Sequence, residues 1–561
     1  MNRLFDLPLT SAHRAPAAHA LKAGQRPCSY AELVELSEGF GRGLIAGALR
    51  RQDRVAVFAD KSVEAVAALF GTSCAGGVLV PVNPLLKPEQ VVYILRDCNV
   101  VTLATSSSRL RALRPLLRHC PDLRQVVLLD ADGVAARADD EAGADAAAVG
   151  GQRVQVHAFR SFAAGGGRSG FHDGIDADIA AILYPSGSTG NPKGVVLSHR
   201  NLVAGAESVA SYLGNHAGDR ILAALPLSFD YGLSQLTTAF LTGATAVLHN
   251  YLLPKDLLRA LAQEEITGLA AVPPLWMQLT ALPWPASINR HLRYFTNSGG
   301  ALPTATLGLL RSRVPDARPF LMYGLTEAFR STFLAPEEID RRPTSIGKAI
   351  PNAEVLVVRQ DGSECATDEP GELVHRGALV SMGYWNDRER TNERFRPAPG
   401  RRAELMLPEL AVWSGDTVKR DADGFLYFVS RQDEMIKTSG YRISPTEVEE
   451  AVFRTGRVAE AAAFGVAHPT LGQAIVLVAR PLSIDSAETD NRSDTGNSDP
   501  AGDTDALLAA CREFLPGFML PAHVDWQRQA LPRNANGKID RRRLAAERKD
   551  LFLTTAAATC K

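Results

Sequence analysis

The 561-residue chain carries 61 Lys and Arg against 62 Asp and Glu, a formal net charge of −1, so it lacks the basic footprint of a dedicated nucleic-acid binder. At roughly 150 residues per domain it holds about three to four domains' worth of chain. With 45% apolar and 22% charged residues it falls among ordinary globular proteins. The start, MNRLFDLPLTSAHRAP, has its apolar run broken by Asp6 and Pro8, too short for a secretory signal peptide. Seven scattered cysteines (Cys28, Cys74, Cys98, Cys120, Cys365, Cys511 and Cys560) contain no CxxC pair. That fits neither a disulfide framework nor a thiolate zinc site, and the chain reads as cytoplasmic.

Strand-like and helix-like segments then alternate: RVAVFA, a helix over 62–75, VLVPV, the helix PEQVVYILRDC, and VVTLATS. This rhythm predicts βαβ units and a parallel sheet covered by helices. Two charge-free stretches, 65–86 and 231–254, are long enough to span a membrane, but glycines, Pro81, Gln235, His249 and Asn250 interrupt them. Each reads better as a buried helix feeding a buried strand: AVAALFGTSCAGG then VLVPV, and SQLTTAFLTGA then TAVLH.

Residues 131–176 turn rich in Ala, Gly and Asp, with only VQVHAF showing strand character, and read as a variable surface connection. Gly165, Gly167 and Gly170 match a G-x-G-x-x-G spacing there, but no strand-to-helix context surrounds them, so the match is by chance. Residues 483–505 hold six Asp, one Glu and one Arg with almost nothing apolar. They cannot bury a core and read as a disordered insertion, without the glycine and terminal glutamate of a calcium loop.

The strongest chemical signal is YPSGSTGNPKGV at 184–195, after the apolar strand DIAAILY and before the helix opener SHRNLVAG. Ser186, Gly187, Ser188, Thr189 and Gly190 offer consecutive backbone N–H groups and three hydroxyls, as a loop wrapping phosphates requires. Lys193 adds a cation. Asn-Pro-Lys-Gly follows Gly190 where a Walker loop has Gly-Lys-Ser/Thr, which disfavours a P-loop NTPase.

This loop resembles the phosphate loop of the adenylate-forming superfamily of acyl-CoA synthetases, peptide-synthetase adenylation domains and luciferases. YGLTEA at 323–328, SGDTVKRDADGFLYFVSRQDEMIKTSGYRISPTEVEE at 414–450 and LPRNANGKIDRR at 531–542 resemble its later motifs, in the same order. The resemblance covers essentially the whole chain. It implies an α/β fold in which residues 1–432 form a large N-terminal domain of stacked α/β subdomains plus a β-rich subdomain. Residues 433–561 would form a small, mobile α+β C-terminal domain.

The resemblance also assigns roles. Joining a carboxylate to the α-phosphate of ATP brings two anions together, so the site must neutralise charge without offering a competing nucleophile. Thr326 and Glu327 would meet the α-phosphate and Mg2+, with Glu327 as metal ligand. Tyr323 would stack on adenine, and Gly299, Gly300 and Gly324 would join the nucleotide site. Asp416 and Arg431 would hold the ribose, Arg442 would meet phosphate, and Lys538 would be the catalytic lysine of adenylation. Asp433 matches the hinge, and Gly440 would line the passage for the thiol arm of CoA or of a phosphopantetheinyl carrier protein.

Ser228 to Gln235, SFDYGLSQ, resembles amino-acid adenylation domains, making Phe229 and Asp230 substrate residues. Asp230 would pair with a substrate ammonium or be satisfied by backbone N–H groups or by an arginine. MIKTSGYRISPTEVE instead looks more like acyl-CoA ligases, and no carrier domain follows within the 23 residues after Lys538, so the thiol is expected in trans. The resulting expectation is a stand-alone AMP-forming acid–thiol ligase acting on a small-molecule carboxylic acid, whether fatty, aryl or amino acid being left open. The alternatives are an amino-acid:carrier-protein ligase and a catalytically silent nucleotide-binding scaffold.

Overall fold

The computed structural model describes residues 2–131, 148–149, 152–165, 167, 170–185, 192–400, 404, 406–431, 435–438, 441–469, 471–482, 503–534 and 537–552. Contacts divide the chain into two compact units. One comprises Met1–Leu302, Thr306–Leu356 and Val374–Ser414, the other Pro303–Ala305, Val357–Leu373 and Gly415–Lys561.

The first unit contains the α/β body that the alternating pattern predicts. A 7-stranded sheet runs in the spatial order Val195–Ser198, Ile179–Leu183, Val78–Pro81, Arg54–Phe58, Val100–Thr105, Gln125–Leu128, Gln155–Ala158. All neighbours are parallel except the first pair. In a second sheet, Arg318–Tyr323, Tyr294–Asn297, Gly268–Ala271, Arg220–Ala223, Thr245–Leu248 and His19–Ala23 pair in parallel. Strands buried on both faces need continuous apolar runs, and Val78–Pro81 and Val100–Thr105 are buried at every position.

Helices fill the space beside these strands. Ser62 caps Val63–Cys74 by accepting from the Ala65 N–H, and every residue of that helix but Glu64 is buried. Helix Asp230–Thr242 is buried from Asp230 to Phe240, and both helices contribute to one core with Tyr30–Ala46 and strands of both sheets. Phe240 meets Phe70 and Tyr30 edge-on at centroid distances of 5.0 and 6.1 Å. The helices and strands of the charge-free stretches are thus core, while Leu85, Leu252 and Leu253 at their ends are exposed, and among the described residues no helix is long and apolar enough to cross a membrane.

Some expectations are revised. SHRNLVAG does open a helix, with Ser198 capping His199–Leu213, but the chain first forms the antiparallel strand Val195–Ser198, which the pattern does not predict. The 131–176 connection is partly structural. Gln155–Ala158 closes one sheet edge, and Phe159 and Phe162 are buried against Phe40. Of the acidic 483–505 segment, 483–502 lie outside the described residues, but Asp503 caps helix Thr504–Cys511 by accepting from the Ala506 N–H, so the last three residues are ordered. The six described cysteines are free and buried.

In the second unit, Val458–His468 and Gly472–Pro481 form a long antiparallel pair extended by Ile436–Thr438 and Tyr441–Ile443, with His523–Trp526 parallel to Gly472–Pro481. Helix Pro445–Arg454 packs on this sheet, and Val448, Ala451 and Val452 enter its core with Leu507 and Cys511.

Candidate active site

Loop residues 186–190 lie outside the described residues, whereas the base that carries them is defined. The Tyr184 hydroxyl donates to Asp97 Oδ2 at 2.6 Å. A Cβ at Gly194 would fall 2.6 Å from Ile182 Cγ2 and 2.9 Å from the Tyr184 ring, so only glycine lets the returning chain pass so close. Segment 383–385 stitches this return in place: the Trp385 N–H donates to Gly194 O at 2.7 Å and the Val196 N–H to Gly383 O at 2.9 Å.

Tyr384, within that segment, links two expected site residues. Its hydroxyl donates to Glu327 Oε1 at 2.6 Å, and Lys193 Nζ lies 5.5 Å from its ring centroid. Burial and the neighbouring Glu327 charge push the phenol pKa far above its usual value, so the proton stays on tyrosine and the carboxylate accepts. Burial, with Arg390 nearby, lowers the pKa of Lys193. The Ser381 N–H also donates to Glu327 O at 2.8 Å. Thr326–Ala328 is a single 3₁₀ turn, too short to give Glu327 a merely helix-capping role.

Asn297 Nδ2 donates to Gly300 O at 2.9 Å, folding the turn that carries Gly299 and Gly300 at the end of Tyr294–Asn297. Tyr323 ends the adjacent strand, and Gly324 and Thr326 follow. Phe229 is the N-cap residue of helix Asp230–Thr242 and meets Tyr231 edge-on. Of the partners weighed for Asp230, the structure supplies the arginine. Arg330 Nη1 donates to Asp230 Oδ2 at 2.8 Å, with side chains 2% and 5% exposed.

Arg330 reaches inward through an unusual turn. Phe329 has φ 54° and ψ −44°, and the Arg330 N–H donates to Ala328 O at 2.6 Å, a γ-turn of the rare positive-φ form. The guanidinium lies 4.6 Å from the Tyr231 ring centroid. Next in sequence, the Ser331 hydroxyl pairs at 3.0 Å with Nδ1 of His375, whose pKa full burial lowers to about 4.

The remaining expected residues belong to the second unit. Asp416 is buried on strand Leu410–Arg420 with Arg431 as its cross-strand partner. Lys538 is exposed at the end of a turn in which its N–H donates to Asn534 Oδ1 at 3.1 Å and its carbonyl accepts from the Asn534 N–H at 2.8 Å. Arg533 pairs with Glu460, and Arg541 with Glu449 at 2.6 Å, fixing that turn to the sheet and helix beneath. Asp433 and Gly440 lie outside the described residues, as do the side chains of Arg431 and Arg442.

Sequence reasoning missed Tyr384 and Arg330. Nothing local links Tyr384 to a glutamate 57 positions away. Arg330 did leave a signal, a lone charge in the run AFRSTFLAP that follows Glu327.

Residues 9–385 match the family model described as AMP-binding enzyme, and 447–538 match the AMP-binding enzyme C-terminal domain. The long-chain-fatty-acid–CoA ligase of Salmonella typhimurium is 28% identical over 92% of this chain and 90% of its own length. Tyrocidine synthase 3 of Brevibacillus parabrevis is 28% identical over 97% of this chain, which spans only 8% of that synthase. The structure of o-succinylbenzoate CoA synthetase from Bacillus subtilis with ATP and magnesium superposes with a TM-score of 0.74 at 25% identity, covering 97% of this chain and 99% of that one. With both family models matched in order, and with Lys193 and Glu327 gathered on Tyr384, the chain belongs to the AMP-binding enzymes of the adenylate-forming superfamily.

Proposed function

We propose that this protein is an AMP-forming acid–thiol ligase. It joins a carboxylic acid to the α-phosphate of ATP with release of pyrophosphate, then passes the acyl group to a pantetheine thiol with release of AMP. The observation that carries this reading is the Lys193–Tyr384–Glu327 grouping, a cation and a held carboxylate at the base of a loop suited to phosphates. Names of relatives with CoA ligase activity support CoA as the thiol. Asp433 is assigned as the hinge of a small domain over 433–561, Gly440 as the thiol passage, Asp416 and Arg431 as ribose contacts, and Arg442 as a phosphate contact.

The residues suit a magnesium ion that arrives with nucleotide. Tyr384 holds one oxygen of Glu327. Among the described residues no group of three or more His, Cys, Asp or Glu forms a cage for a metal. Mg2+ bound by one carboxylate, water and phosphate oxygens needs no such cage. When bound, the ion draws charge away from the phosphates. Glu327 would hold it, and Lys193 would neutralise phosphate oxygen.

The geometry favours an acid that does not rely on Asp230 for an amine, because Asp230 is already engaged by Arg330. The test is Lys538→Ala. It should remove about 3 kcal/mol or more of stabilisation from the adenylation barrier, read as pyrophosphate exchange, while ATP still binds. Thioester formation from a supplied acyl adenylate should largely survive, with CoA and a carrier protein as separate arms. Equal loss of both half-reactions overturns the assignment of Lys538, and absence of exchange with every acid in the wild-type protein leaves the silent scaffold.

A further inference from the structure

A small cavity of about 20 Å³ lies within the first unit, lined by Tyr231, Gln235, Thr238, Thr296, Met322 and Arg330 among others. Helix His199–Leu213 and strands Arg220–Ala223 and Gly268–Ala271 supply apolar wall through Val209, Leu213, Ile221 and Ala270, and three further segments of the wall lead to candidate site residues. Helix Asp230–Thr242 begins at Asp230, strand Tyr294–Asn297 leads to Gly299 and Gly300, and strand Arg318–Tyr323 leads to Glu327 and Arg330. We propose that this cavity is the far end of the acid pocket, and that the protein takes a short carboxylic acid bearing a hydroxyl on its tail. The proposal rests on the adenylation reading and deepens it.

Two features narrow the chemistry. The volume has room for about one water-sized group, so an alkyl tail of several methylenes has no place in it. The wall also holds unmet polar groups. Arg330 Nε and Nη2 and Gln235 Oε1 are buried with no hydrogen-bond partner among the described residues, and the two side chains are 2% and 5% exposed. Buried donors and acceptors left without partners are costly, so the group that fills the cavity should both accept from Arg330 and donate to Gln235.

A hydroxyl does both, since it has one O–H donor and two lone pairs. A methyl does neither. An ammonium cannot accept from Arg330 and would face its charge. A second carboxylate cannot donate to Gln235, and it would add an uncompensated negative charge beside an Arg330 already balanced by Asp230. Sites built to hydrogen-bond a substrate hydroxyl discriminate strongly against the analogue that lacks it.

Pyrophosphate exchange over matched acids tests this: 3-hydroxybutanoate and 4-hydroxybutanoate against butanoate, 4-aminobutanoate, succinate and palmitate. At least one hydroxy acid should exceed butanoate, the amino acid and the diacid by tenfold or more in kcat/KM, with palmitate weakest. In Gln235→Leu, checked for an unchanged melting temperature, the hydroxy-to-butanoate ratio should fall to threefold or less, because the acceptor is gone. Equal or better exchange with butanoate, succinate, 4-aminobutanoate or palmitate in the wild type overturns the proposal while leaving adenylation intact. A Gln235→Leu variant that keeps the full hydroxyl preference overturns the role of the cavity wall. Exchange with none of the acids counts against the adenylation reading itself.

Discussion

At the scale of single residues, Tyr384 is the position on which the site turns. A phenol that keeps its proton beside a carboxylate forms a charge-assisted hydrogen bond, the stronger kind, and on the proposed reading it fixes which oxygen of Glu327 would be left for an ion. Tyr384→Phe should therefore keep the fold, because ring packing on Phe395 and the bridge to Val195 do not use the hydroxyl. The magnesium concentration giving half the nucleotide-induced rise in melting temperature should increase severalfold, with a rate loss of about tenfold, or ~1.4 kcal/mol. If magnesium dependence is unchanged in Tyr384→Phe, the phenol only packs. None of this was legible beforehand, since a single sequence reveals local spacing but not which of many distant tyrosines meets Glu327. Asp230 was half legible for the same reason: a buried carboxylate needs a partner, but its arginine stands 100 positions away.

At the scale of elements, most of the body could be read because burial imposes a period. Strand Arg54–Phe58, helix Val63–Cys74, strand Val78–Pro81, helix Pro88–Asp97 and strand Val100–Thr105 fall where the alternation predicts. The misses have local causes. Val195–Ser198 is only four residues and owes its strand form to pairing with Ile179–Leu183. The helix read as SQLTTAFLTGA begins earlier, at Asp230, across a glycine that pattern reading treats as a breaker. Gly232 is there for contact: a Cβ would stand 2.0 Å from Pro226 O, where the chain folds back under the helix start. Gly232→Ala should cost about 2 kcal/mol or more by overpacking. It should also displace Asp230, which would show as a lowered denaturation midpoint together with impaired exchange. A variant as stable and active as wild type would mean that this turn yields at little cost.

At the scale of the whole molecule, stability should depend on acid through buried histidines. His375 and His199 are both buried, and desolvation lowers each pKa to about 4. His199 uses Nδ1 to accept from the Leu4 N–H at 3.1 Å, as a neutral ring can. Between the ordinary value near 6.5 and the folded value, the unfolded chain binds a proton that the folded chain does not. The stability is therefore complete above pH 6.5 and is lost as pH falls toward 4, by up to about 1.4 kcal/mol per pH unit for each group. Denaturant melts at pH 7, 6 and 5 should show a shallower acid decline in His375→Asn than in wild type. Parallel slopes would show that His375 takes up its proton equally in the folded and unfolded states and contributes nothing to the acid loss.

The buried Asp230–Arg330 pair bears on how this enzyme could change over evolutionary time. Removing either charge alone strands the other in the interior, at a cost on the order of 3–5 kcal/mol that a marginally stable chain cannot easily absorb. On the proposed placement of the acid pocket, a lineage moving toward a different acid would have to replace both positions, 100 residues apart, at nearly the same step or pass through a damaged intermediate. On that placement the pair would make substrate range a property that drifts in jumps, insulated from the single substitutions that readily tune an apolar pocket.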